Sequence, residues 1–384
     1  MRYPKSLPRG GAIGFLAPSF GCNIEPYRTG FGHAVEKWQK MGYRTILGPN
    51  CYAGEGVGIS NTPEKCGREV MDMFLSKDAD CLISCGGGEL MCEILPYVDF
   101  GKLAEAEPKW FMGYSDNTNL TYLLATLADT ASVYGPCASS FGMEPWHEAL
   151  WDAFGILTGE SGARAAEEKV PGTAERNIGE LCGAGGIQAG RGQCLSGEES
   201  EAEVSGYGLW ERESLKSPEN PLTPYHLTEP LAIRTYVGRE PAAGEVSFQG
   251  RLLGGCLDCL ANLPGTRYDR TGEFVTRYKE DGIIWFLEAC ELNVFSIRRA
   301  MWQLEESGWF EHVKGFLIGR SANGEPMMGL DAYAAVLEVA GRRNRPVVMD
   351  VDLGHLPPMM PMVMGSMADV TVRGNDIRIR MRYV

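Results

Sequence analysis

The chain of 384 residues is long enough for two domains or one large α/β unit. With 44% hydrophobic and 22% charged residues it has the balance of a globular protein, which excludes a disordered, collagenous or coiled-coil chain. A net charge of −14, from 36 basic and 50 acidic residues and with no Lys/Arg run, argues against nucleic acid or an anionic membrane as the main partner, because both demand a concentrated basic face.

Met1–Gly10 holds two prolines and no apolar core, so no secretory signal is expected there. No apolar run reaches the ~18 residues of a membrane span. The expected location is the cytoplasm, where the twelve cysteines should be mostly reduced.

Ala12–Ala17 reads as a buried strand ending at Pro18-Ser19. Residues 26–41 read as a helix and 43–47 as the next strand. Thr62-Pro63-Glu64 carries a cap, a proline at the first helical position and an acid at the positive helix end, so a helix is expected to about Ser76. Asp80–Ser84 is a third strand, followed by Gly86-Gly87-Gly88. Trp110–Tyr114 is a fourth, followed by a helix over 117–128, and Ser132–Tyr134 is a fifth. This alternation predicts a parallel sheet with helices on both faces, an N-terminal flavodoxin-like domain over 1–160.

Residues 161–249 lose the rhythm and read as a linker with long active-site loops. Residues 159–203 hold nine Glu against four Lys/Arg, the mark of a solvated segment. Trp210 lies beyond it, an aromatic that could cover a ligand or simply pack on the surface. A C-terminal mixed β/α domain is expected over 250–384. Residues 252–263 read as helical, 282–287 as a strand ending at Glu288, and 293–307 as a helix stopped by Gly308. A strand over 313–318, a helix over 329–341 and a strand over 346–349 follow. Residues 368–384 read as an antiparallel pair.

Cys81, Cys85, Cys92, Cys256 and Cys259 fall in apolar or helical patterns and read as small buried hydrophobes. Cys256 and Cys259 form a C-x-x-C, but no second ligand pair follows, so no metal site is expected. No phosphate-loop or dinucleotide-loop spacing occurs, and no cofactor is expected.

Ligands of an open α/β sheet bind at the carboxyl ends of its strands. Those positions hold Ser19, Gly86–Gly88, Ser115, Glu288 and His355. Ser115 sits in a strand–turn–helix bend, where it could be a nucleophile or merely a helix cap. As a nucleophile it would have the Asp116 N–H beside it to receive an oxyanion, with the Gly88 region as a second donor. Only five histidines exist. His33, His147 and His312 fall in helical patterns, His226 lies in the irregular stretch, and His355 alone follows a second-domain strand, which makes it the best general base. Glu288 ends so apolar a strand that it needs a partner, either His355 or an arginine such as Arg298 or Arg299; Glu291 is its rival.

At these residues the chain resembles the LD-carboxypeptidase family of serine peptidases. Ile13–Ser19 is similar to the family's I-G-x-x-A-P-S. Gly87-Gly88 with Glu93–Asp99 resembles G-G-x-x-x-N-E-L-L-P-Y-L-D, although Met91-Cys92 stands where S-N is usual. Gly113–Thr118 matches G-Y-S-D-x-T, and Tyr134-Gly135-Pro136 matches Y/H-G-P. Leu253–Leu257 with Gly265-Thr266 resembles L-x-G-G-x-L…G-T. Glu288 and His355 fall where the family carries its Glu and His.

The resemblance implies a Ser115–Glu288–His355 triad split between two domains, with Asp116 and Gly88 N–H groups as oxyanion donors. Gly87 and Trp210 become candidate substrate contacts. It implies metal-free hydrolysis of an amide next to a free carboxylate, by a homodimer, and leans towards the microcin-immunity branch. The substrate stays open between a murein tetrapeptide, a peptidyl-nucleotide and another peptide. A non-catalytic peptide- or nucleotide-binding protein on the same fold is the alternative.

Overall fold

Strands and helices alternate through the first block as the two periods require. The computed structural model describes residues 1–160 and 200–384. It opens with β1 (Ala12–Leu16), α1 (Tyr27–Lys40), β2 (Arg44–Leu47) and α2 (Pro63–Leu75), followed by β3 (Cys81–Ser84) and α3 (Phe100–Glu105). Next come β4 (Trp110–Gly113), α4 (Thr118–Ala128), β5 (Ser132–Tyr134) and α5 (Glu148–Thr158). The Thr62 side chain caps α2 by accepting from the Lys65 N–H, with Pro63 at the first helical position. Strand order β2-β1-β3-β4-β5 is all parallel, the flavodoxin-like order. It puts the ends of β1 and β3, hence Ser19 and the three glycines, at the point where the order reverses.

The second block begins earlier than expected. Residues 200–249 are not only linker and loops. They form β6 (Glu201–Ser205), β7 (Leu209–Trp210), β8 (Glu229–Pro230), β9 (Arg234–Val237) and β10 (Glu240–Pro241), and they start β11 (Val246–Cys256). β6 and β10 are the two edges of the second sheet, β9 lies between β10 and β14, and β7 pairs only with β8; β6 alternates exposed and buried along Glu-Ala-Glu-Val-Ser. The rest of the acidic stretch, residues 161–199, lies outside the described residues.

Then come α6 (Leu257–Leu260), α7 (Thr271–Arg277), β12 (Ile283–Glu288), α8 (Val294–Glu306), β13 (Val313–Gly319), α9 (Ala332–Ala340) and β14 (Pro346–Val351). The chain ends with β15 (Met362–Met364), β16 (Met367–Arg373) and β17 (Asp376–Arg382). The second sheet runs β10-β9-β14-β13-β12-β11-β16-β17-β6, with β11 to β14 parallel and the flanks antiparallel. β15 leaves it and pairs antiparallel with β5 in the first sheet.

Residues 252–256, expected to be helical, extend β11 instead, and only 257–260 turn into helix. Two successive glycines favour that choice. Gly254 lies so close to β12 that a Cβ there would strike the Phe286 carbonyl. Cys92, expected to be buried, is exposed. His147 caps α5 rather than lying within it, and His312 occupies a left-handed turn at φ +56.

The two sheets are locked by aromatic stacking. Tyr122 of α4 stacks on Trp309 at 5.3 Å and 12°, and Trp285 of β12 stacks on the other edge of that group, 5.7 Å from Trp309. All three are essentially buried, which at ~1.5–3 kcal/mol per large apolar side chain makes this a strong clamp. The Thr118 hydroxyl at the start of α4 accepts from the Cys256 N–H at 3.0 Å. The first turn of α4 is thereby tied to the end of β11.

Gly254→Ala is expected to lower the melting temperature by about 5 °C or more through overpacking. Gly272→Ala, in α7 and facing open space, is expected to leave it nearly unchanged. Differential scanning fluorimetry of the two variants measures the contrast.

Candidate active site

β4 ends at Gly113, and the chain then reverses into α4 through a short turn at Ser115–Asn117. Ser115 holds a left-handed backbone at φ +63, a costly conformation for a non-glycine residue. The Asn117 side chain supports the turn, donating to Gly86 O at 2.9 Å and Tyr114 O at 3.0 Å. The Ser115 hydroxyl does not cap the helix. It lies 2.9 Å from His355 Nε2.

His355 Nδ1 in turn lies 2.8 Å from Glu288 Oε2. The three residues chosen from strand ends are therefore brought together in one hydrogen-bonded chain. The arginine alternatives for Glu288 are engaged elsewhere: Arg298 with Ala334 O and Glu338, Arg299 with Ser296. Glu291 is exposed.

The loop carrying His355 is set by two features. Gly354 takes φ +91, and a Cβ there would collide with the Glu288 carboxylate. Arg320, at the end of β13, donates from Nη2 to Asp352 Oδ1 at 2.6 Å and to Leu356 O at 3.3 Å, and from Nη1 to Asp350 O at 3.0 Å. A buried ion pair thus brackets His355 on both sides in sequence.

Burial pushes the Glu288 carboxyl up. The charge and hydrogen bond of His355, with the Tyr134 hydroxyl, more than offset this and hold it below the usual carboxylate range. Burial likewise disfavours the His355 imidazolium. The Glu288 charge outweighs it, assisted by the hydrogen bonds the imidazolium makes to Cys290 and Glu288, so the imidazole holds its proton more tightly than an ordinary histidine.

Tyr134, at the end of β5, appears in the sequence as the first residue of the Tyr134-Gly135-Pro136 motif, with no site role of its own. Its hydroxyl donates to Glu288 Oε1 at 2.5 Å and accepts from the Ser115 N–H at 3.2 Å.

The glycine run lies against the serine. A Cβ at Gly87 would sit 3.1 Å from Ser115 Cβ and 3.3 Å from its Oγ. The Gly87 carbonyl accepts from Phe20 N–H at 2.8 Å, while the Gly88 N–H makes no hydrogen bond among the described residues. Asp116 contributes a side chain as well as a backbone amide. Its carboxylate accepts from Ser19 Oγ at 2.5 Å, Met91 N–H at 2.9 Å and Asn119 Nδ2 at 3.1 Å. It thus joins the ends of β1, β3 and β4. Burial pushes its pKa up to about 6 against these donors.

Trp210 shares a cavity of about 530 Å³ with Glu288, Arg320, Tyr333, Asp350 and Leu356, at the carboxyl ends of β12 to β14. The guanidinium groups of Arg320 and Arg212 lie 4.9 and 5.6 Å from its ring. Neither Ser115 nor His355 is among the described lining residues of this cavity. Cys259 Sγ faces Ser115 O at 3.7 Å, and Cys256 faces Asp258. Among the described residues no cluster of three metal-ligating side chains occurs.

The sequence profile of the LD-carboxypeptidase N-terminal domain matches residues 13–135, and that of the C-terminal domain matches residues 249–370. The microcin C7 self-immunity protein MccF of Escherichia coli is 23% identical over 98% of this chain and 95% of its own. A Vibrio cholerae protein named as a carboxypeptidase is 23% identical over 100% of this chain and 99% of its own. Among solved structures, MccF in complex with adenosine monophosphate superposes with a TM-score of 0.74 at 20% identity, covering 100% of this chain and 99% of that one. MccF has also been solved with aspartyl sulfamoyl adenosine, at a TM-score of 0.73 and 20% identity over 100% and 99% of the two chains. A muramoyltetrapeptide carboxypeptidase from Oxalobacter formigenes superposes at 0.63 and 19% identity, over 96% and 98%.

The raised pKa of Asp116 can be read directly. Carbon-13 NMR of the aspartate carboxyls is expected to show one titrating near pH 6. Ser19→Ala removes a donor to the charged form, so the midpoint is expected to move higher still.

Proposed function

Because the chain belongs to the LD-carboxypeptidase family, we propose that it is a serine carboxypeptidase in which Ser115 is the nucleophile, His355 the general base and Glu288 its orienting acid. The observation that carries the reading is the chain of hydrogen bonds from Ser115 Oγ through His355 to Glu288, at 2.9 and 2.8 Å. Hydroxyl, imidazole and carboxylate in that order are what activates a serine.

In the proposed reaction His355 Nε2 takes the Ser115 proton as Oγ attacks the amide carbonyl. Glu288 stabilises the imidazolium and fixes Nδ1 as the protonated nitrogen. The N–H groups of Asp116 and Gly88 receive the oxyanion. The imidazolium then protonates the leaving nitrogen, and water activated by the same histidine releases the acyl group. Gly87 keeps the approach to Ser115 Oγ clear.

The bond cleaved is an amide next to a free carboxylate, in a small peptide or peptidyl-nucleotide. Trp210, with two guanidinium groups close to its ring, suits a planar or anionic part of such a substrate. Murein tetrapeptide and aminoacyl sulfamoyl adenosine are the two compounds to compare, because relatives carry both kinds of name. The setting we propose is a cytoplasmic homodimer, which sedimentation equilibrium of the purified chain checks for assembly.

Ser115→Ala is expected to cost on the order of 10⁴-fold or more in kcat with whichever of the two is hydrolysed. Full activity in that variant would leave a non-catalytic serine and sink the assignment. Trp210→Ala is expected to raise KM with a smaller change in kcat.

The base must be neutral to accept a proton. With its pKa raised, kcat/KM is expected to climb with pH through a midpoint above the ordinary histidine value of ~6.5. Glu288→Gln removes the charge that raises it, so the midpoint of the residual activity is expected to fall.

A further inference from the structure

We propose that Tyr134 is a positioning residue of this site, whose hydroxyl fastens the Glu288 carboxylate to the Ser115 backbone and so fixes both ends of the Ser115–His355–Glu288 chain. The proposal rests on the serine-peptidase reading above and goes beyond it.

The hydrogen bonds form a closed circuit. Ser115 Oγ meets His355, His355 meets Glu288 Oε2, Glu288 Oε1 accepts from Tyr134, and the Tyr134 oxygen accepts from Ser115 N–H. A phenol hydroxyl is suited to this link because it donates once and still accepts. Glu288 has two oxygens in a wholly buried strand end, and His355 can serve only one of them. Tyr134 supplies the donor for the other.

Ser115 has a second need. Its left-handed backbone persists only if its surroundings hold it. The acceptor for its N–H is the same phenol oxygen.

Tyr134 is itself immobile. It has no exposed surface, and its ring packs 5.7 Å from Phe286. Its backbone is paired with Gly113 of β4 on one side and Met362 of β15 on the other. Burial and the neighbouring Glu288 charge push its pKa well above 10, so it stays a donor at every working pH.

The consequence for the base has a definite sign. When His355 is neutral, Glu288 carries an uncompensated charge and depends most on the Tyr134 donor. When His355 is protonated, the carboxylate is already paired. Removing the hydroxyl therefore destabilises the neutral-histidine state more, and His355 holds its proton to higher pH. The other groups facing His355 are Cys290, Glu89 and the Tyr114 ring, and Cys256 faces Glu288. Tyr134→Phe leaves all of them in place. A purely space-filling role for Tyr134 would change the rate without moving this midpoint.

The test is the rate at which a fluorophosphonate labels Ser115, followed from pH 5.5 to 10 in the full-length chain, which needs no knowledge of the substrate. Tyr134→Phe is expected to slow labelling about ten- to a hundredfold and to move the midpoint to higher pH. Site-specific 3-fluorotyrosine at position 134 keeps the ring and strengthens donation, so it is expected to move the midpoint to lower pH. That pair also decides the matter if Tyr134→Phe does not fold. A wild-type rate in Tyr134→Phe, or a slower rate with the midpoint unmoved in both variants, would overturn the proposal. A wild-type protein that is not labelled at all would overturn the serine-peptidase reading itself, and this inference with it.

Discussion

A carboxylate at the end of a strand with no exposed residue has no water to stabilise it, and much around the site answers that constraint. Glu288 ends β12, where all six residues are buried. Left alone, such a charge costs several kcal/mol. It is met by an imidazole on one oxygen and a phenol on the other. The loop after β14 must bend tightly to deliver that imidazole, which is why Gly354 stands beside the carboxylate. Arg320 then holds the loop from both flanks through Asp352 and Leu356.

The same constraint joins the two sheets. Ser115 and Tyr134 come from the first, Glu288 and His355 from the second. Hydrogen-bond distances near 2.9 Å between them tolerate little relative movement. The Tyr122–Trp309–Trp285 stack and the Thr118–Cys256 hydrogen bond lie directly behind the site and supply the required stiffness. Packing and chemistry are thus arranged along one line, from the aromatic clamp through α4 to the serine.

Much of this was legible in the residues. Long apolar strands marked themselves, and reading only their carboxyl ends picked out Ser115, Glu288 and His355. What escaped has physical reasons. Edge strands such as β6 satisfy one face and one neighbour, so they keep a polar composition that hides them. Leu252–Cys256 carries apolar residues compatible with either period, and two glycines together with the close approach of β12 decide in favour of a strand. Tyr134 carries no charge, and nothing local distinguishes a tyrosine that packs from one that also bridges two functional groups 19 and 154 residues away. The Asp116 backbone amide is legible from its place at a helix start, whereas the reach of its side chain is not. Its nitrogen and hydroxyl donors come from Ser19, Met91 and Asn119, two of them far off in the chain.

β15 has a bearing on how the molecule is made. Its three residues, Met362–Met364, complete the edge of the first sheet beside β5. During synthesis the strand bearing Tyr134 is finished long before its neighbour exists, and more than two hundred residues must emerge first. Throughout that time the nascent sheet presents an open, apolar edge, the kind that invites wrong pairing with other chains. The amino-terminal half is therefore dependent on the carboxyl-terminal half for its own completion. Two independently folding modules are a poor description of this chain, and a ribosome releasing it early would leave a sticky fragment rather than a smaller protein.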